Sequence, residues 1–203
     1  MTTPGLRERK KQQVRERISG IATMLFLERG FDEVSVAEIA EAAGVSKMTV
    51  FNYFPRKEEL FFDRVPQLFE MITAAVRARR PGVTAPDALR ELWLTLLDER
   101  HPLAGMHDEV STFWGVVLRS PALRARVREA LEEIETLMAR LFAEAGQAHP
   151  EMTAALVLAA ARVRYVEGAR RIMGGEPADS FRGEQRARIA AAWDEAVAAA
   201  SRG

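Results

Sequence analysis

Apolar residues near the start of the chain recur every third or fourth position. Val14, Ile18, Ile21, Ala22, Leu25 and Phe26 fall on one helical face, and Gly30 stands where a C-terminal capping glycine belongs. This spacing predicts a helix from about Arg7 to Arg29. Ser35 followed by Glu38 forms a capping box, with Val34 and Ile39 at the positions of a hydrophobic staple. Ser46 opens the next piece, where Val45 and Val50 repeat the staple. Between these two starts there is room for one short helix and a tight turn containing Gly44, whose residue type makes a left-handed backbone cheap. After Pro55 the pattern predicts a helix over about 57–80, kinked at Pro66. Further helices are expected over 86–98, 106–119, 121–146, 150–173 and 183–200, separated by Pro- and Gly-containing turns. No segment alternates apolar and polar residues over a strand length. The expectation is an all-α chain of about nine helices, with a three-helix unit at 1–55 and a larger helical body at 56–203.

Composition supports this and removes several chemistries. Of 203 residues 48% are apolar and 29% charged, a globular balance. A chain of this length hides roughly 70% of its unfolded surface on folding, enough for a core without covalent staples. The absence of cysteine excludes disulfides, thiolate zinc sites, iron–sulfur clusters and cysteine nucleophiles. Three histidines, His101, His107 and His149, leave little for a metal cage, and neither metal nor cofactor is expected. No run approaches the ~18 apolar residues of a membrane span, and no secretory apolar region precedes the first helix, so a cytoplasmic protein is expected. Charge is uneven. Arg7, Arg9, Lys10, Lys11, Arg15 and Arg17 against Glu8 and Glu16 give residues 1–20 a net +4, so the remaining 183 carry −4. Such a tip suits phosphate or anionic lipid, although a solvated helix face would look the same.

A three-helix unit with a glycine turn before a short capped helix has the form of a helix-turn-helix. Ile39, Ala40 and Ala43 face inward from the second helix, and Val45, Val50 and Phe54 answer from the third. Lys47, Met48, Thr49, Phe51, Asn52 and Tyr53 remain available outside, and Ser35 and Ser46 stand at the helix starts. Lys, Thr and Asn contact phosphates and base edges, while Met and a Phe ring suit a thymine methyl. A generic helical hairpin is the competing reading. The run Ala22…Leu25-Phe26…Gly30-Phe31…Val34-Ser35-Val36…Ile39-Ala40…Ala43-Gly44-Val45-Ser46…Thr49-Val50-Phe51-Asn52-Tyr53-Phe54…Lys57-Glu58…Leu60 resembles the DNA-binding domain of TetR-family transcriptional regulators. That resemblance covers about 22–60. It implies a homodimeric repressor on a palindromic duplex DNA operator, released by a small ligand, with the last two helices forming the dimer interface. By position it makes Thr49, Phe51 and Tyr53 recognition-helix contacts and Lys57 a phosphate-binding lysine. Phe51 replaces the family's usual tyrosine and loses a hydroxyl; Arg56 replaces a small capping residue.

The body at 56–203 is then expected to bind effector and to dimerise. Large adaptable side chains, Trp93, Met106, Phe113, Trp114, Met138 and Tyr165, are expected to line a cavity, with Val110 and Val117 on the same helix face as Phe113. A mainly hydrophobic effector, oriented by Tyr165 or His107, is expected there. Each of these residues also reads as ordinary core. The alanine-rich helices 150–173 and 183–200 suit close packing, and with the family's arrangement they assign Ala160, Arg164, Trp193 and Val197 to the dimer interface. Arg162 and Arg164 also read as a solvated face. Two other classes compete. A small helical enzyme lacks a visible nucleophile–base pair or phosphate loop. A membrane-surface binder would need the apolar face of the first helix, which the three-helix core already uses.

Overall fold

The computed structural model describes residues 5–202, the side chains of residues 6–8 excepted, so Arg7 and Glu8 of the expected basic tip lie outside the described side chains. Ten α-helices follow one another among the described residues. They are α1 (Leu6–Arg29), α2 (Val36–Ala42), α3 (Lys47–Tyr53), α4 (Lys57–Phe61), α5 (Val65–Arg77), α6 (Ala85–Asp98), α7 (Val110–Arg119), α8 (Pro121–Glu144), α9 (Pro150–Met173) and α10 (Ala178–Ala200), with a short 3-10 turn at Pro102–Ala104 before α7. No strand occurs among the described residues. None of these helices is long and apolar enough to cross a membrane.

Three boundaries differ from the sequence reading. The expected helix over 57–80 is two helices, because Pro66 lies in the first turn of α5 and its ring excludes the carbonyl four residues earlier, at Phe62. α7 begins at Val110, not near 106, and α10 begins at Ala178, not near 183. The Asp108 carboxylate accepts from the Ala178 backbone N–H at 2.9 Å and caps the start of α10. That cap is 70 residues away in sequence.

The chain packs as two compact units. One comprises the described residues through Asp63 together with Thr112–Arg126; the other comprises Arg64–Ser111 and the residues from Val127 onward. The first therefore takes in more than residues 1–55. Its core is Ile18, Ala22 and Phe26 from α1, Ile39 from α2, Val50 from α3, Leu60 from α4 and Leu123 from α8, all fully buried. Phe61 stacks on Phe113 at 4.9 Å between ring centres, and the Ser120 hydroxyl donates to Asp32 at 2.8 Å. These contacts draw the α7–α8 corner into the unit that holds α1–α4. The second unit is built on Ile72 and Val76, Leu89, Leu141 and Phe142, Val157 and Trp193, from α5, α6, α8, α9 and α10 respectively.

Candidate nucleic-acid interface and effector groove

α2 and α3 meet through a turn at Ala43–Ser46, where Gly44 adopts φ 64°, a left-handed conformation open to glycine without strain. Both helices are capped as their sequence requires. The Ser35 hydroxyl accepts from Glu38 N–H at 3.2 Å while Ser35 N–H donates to the Glu38 carboxylate at 2.8 Å. Arg29 adds a 2.8 Å ion pair to the same carboxylate. The Ser35 backbone N–H first, then the Arg29 guanidinium and the Ser35 hydroxyl, hold the Glu38 carboxyl down at about 2. Ser46 caps α3, accepting from Thr49 N–H at 3.0 Å, and its hydroxyl lies 2.8 Å from that of Thr49.

With Val50 and Phe54 buried, the outward face of α3 carries Lys47, Met48, Phe51 and Asn52, all exposed. Thr49 and Tyr53 are only half-exposed, and Ser35 and Ser46 hold the caps. The Lys47 ammonium lies 5.9 Å from the centre of the Phe51 ring. Arg9, Lys10, Lys11 and Arg17 of α1 are exposed as well. Two cations expected at this surface have internal partners. Arg15 donates to the carbonyls of Tyr53 (3.2 Å) and Asp63 (3.1 Å) and lies over the Phe54 ring. Lys57 donates to the Phe31 carbonyl at 2.6 Å and sits 4.2 Å from the centre of the Phe31 ring, and burial pushes its pKa down. The clamping role of Arg15 left no local signal, because its partners lie 38 and 48 residues away.

The residues expected to line an effector cavity are divided between the two units. Phe113, Trp114 and Val117 belong to the first unit, where Trp114 meets the edge of Phe113. Trp93, Met106, His107, Val110, Met138 and Tyr165 belong to the second. Met106, Val110, Val117 and Met138 are buried core. The Tyr165 ring lies so close to Gly105 (φ 67°) that a β-carbon there would collide with it, and His107 pairs with Glu109 at 3.2 Å. Instead, a groove of about 920 Å³ runs between α5 and α8, lined by Phe69, Glu70, Thr73, Ala74 and Arg77 on one side and Glu129, Glu132, Glu133, Thr136, Leu137 and Arg140 on the other. The periodic polar stripe of α8 was readable in the sequence; that it faces α5 was not. Among the described residues no three His, Asp or Glu side chains are grouped to hold a metal ion.

Four residues were expected at a dimer interface, Ala160, Arg164, Trp193 and Val197. Trp193 is buried and donates from its indole N–H to the Pro86 carbonyl at 3.1 Å, so it anchors the core of its own chain and offers no exposed surface. Val197 and Ala160 pack against the same core, and Arg164 pairs with Glu167 at 2.8 Å.

A capped helix-turn-helix beside a basic first helix is the form of a DNA-binding unit. Residues 21–63 match the sequence model of the bacterial regulatory proteins of the tetR family. These residues form a TetR-family DNA-binding domain. It is 31% identical over 143 residues to the HTH-type transcriptional regulator TcmR of Streptomyces glaucescens, an alignment of 69% of this chain and 63% of that protein. The chain thus spans under two thirds of the length of the first curated relatives it matches. In fold it is similar to NalD of Pseudomonas aeruginosa, the secondary repressor of the MexAB-OprM multidrug efflux pump (TM-score 0.58, 21% identity, 88% of this chain and 96% of NalD). It is likewise similar to SmeT in its complex with triclosan (TM-score 0.60, 18% identity, 92% of this chain and 91% of SmeT).

Proposed function

We propose that this protein is a cytoplasmic, homodimeric transcriptional repressor that binds a palindromic DNA operator and is released from it by a small effector; it is not an enzyme. The observation that carries this reading is the outward face of α3, where Lys47, Met48, Phe51 and Asn52 are exposed on a helix whose other side is fixed in the core. Lys47 and Asn52 supply groups that bond base edges, and the exposed cations of α1 supply phosphate contacts. Lys57 uses one N–H on Phe31, leaving two donors for phosphate. The effector occupies the groove between α5 and α8, with an apolar part against Phe69 and Leu137. It acts by binding the DNA-competent and DNA-incompetent shapes unequally, since equal affinity shifts nothing. Selection of bound sequences from random duplexes with the full chain tests the reading. The expected product is an inverted repeat with half-site centres about 34 Å apart, or a multiple of that. Enrichment of no sequence at physiological salt overturns it.

A further inference from the structure

The outward face of α3 is half apolar. Met48 is 69% exposed and Phe51 38%, the former the most exposed large hydrophobic residue among those described. Neither has core work: the inward side of the helix is supplied by Val50 and Phe54. The two residues are three apart, on one edge of the helix with Asn52, and Lys47 leans toward the Phe51 ring. The neighbouring hydroxyls are occupied, since Ser46 and Thr49 bond each other at the helix start. In the major groove the one apolar group that a base pair presents is the C5-methyl of thymine. We propose that Met48 and Phe51 read thymine methyl groups, so that specificity at these positions comes from apolar contact and not from hydrogen bonds. The inference rests on the DNA-binding reading above and names what that surface recognises. Lys47 and Asn52 flank the pair and fix its register by polar contacts to neighbouring bases.

The experiment uses the selected operator and replaces its thymines one at a time with deoxyuridine, which removes the methyl and leaves every hydrogen-bonding group in place. At one or two positions per half-site the intact protein loses about fourfold in affinity for each methyl removed, the value of burying one such group. With Met48→Ala or Phe51→Ala the corresponding loss falls below about twofold, whereas Met48→Leu preserves it. Met48→Ala retains the parent melting temperature, because the side chain lies outside the core. If deoxyuridine is neutral at every position, or if the loss is unchanged in both alanine variants, the methyl-reading assignment is overturned while the regulator reading stands. If selection enriches no duplex, both fall.

Discussion

Lys57 carries two loads in one side chain. Its ammonium bonds the Phe31 carbonyl at 2.6 Å and packs on the Phe31 ring, yet it stands at the start of α4 with two N–H donors unspent. Lys57→Ala leaves that carbonyl without its donor and is expected to destabilise the first unit by about 1–3 kcal/mol. It is also expected to lower the salt slope of operator binding by about 1. Thermal unfolding and affinity measured across salt concentrations separate the two effects. An unchanged slope removes Lys57 from the phosphate contacts. Trp193 is the opposite case, a residue whose size suggested an interface and whose place is interior. Trp193→Phe removes the indole bond to Pro86 and is expected to cost ~1–3 kcal/mol of stability, with no change of oligomeric state by light scattering. The outward residues of α3 and both serine caps were legible because caps and helix faces are local. Arg15 was not, since a guanidinium on a basic stretch looks the same whether it meets phosphate or two carbonyls tens of residues away.

At the level of the helix, α2 shows how a seven-residue element survives. It is too short to be stable by propensity, and its two caps and two buried residues, Ile39 and Ala40, hold it in place. The Glu38 carboxylate is central, and its depressed pKa fixes the sign of the pH dependence. In the unfolded chain it titrates near 4.5, in the folded chain near 2, so its contribution is present above 4.5 and is lost as pH falls toward 2. The stability difference between the parent and Glu38→Gln is therefore expected to be constant near neutrality and to shrink below pH 4.5, followed by urea unfolding at a series of pH values. A difference that persists undiminished at the acid end would place the effect elsewhere. Ser35-x-x-Glu38 was legible because every partner lies within three residues. The start of α10 was not, because its Asp108 cap comes from a turn that only the folded chain brings beside it. The division of the expected helix at Pro66 lies between these cases: the proline marked the spot, but kink or break depends on what the flanking turns pack against.

For the molecule as a whole, recognition of an inverted repeat requires two first units held at a fixed spacing, which one chain cannot provide. The surface that supplies the second copy is proposed on α9. Met152 and Val163 are 56% and 51% exposed, and with Ala159 they recur at spacings of seven and four residues along one face. Large apolar groups beside a small residue let a second helix approach closely, and their exposure in the single chain leaves them unburied until a partner arrives. α9 packs along α10 in the same unit, so the outward face is backed by a rigid layer. Val163→Arg places a charge at the C-terminal end of this stripe without touching the core. It is expected to give a monomer by light scattering at micromolar concentration, with unchanged helical content by circular dichroism. Affinity for the full operator is expected to fall steeply while affinity for an isolated half-site stays the same, because only the coupling between two recognition helices has been removed. A Val163→Arg protein that remains dimeric and binds the full operator as the parent does would move the interface off this face of α9.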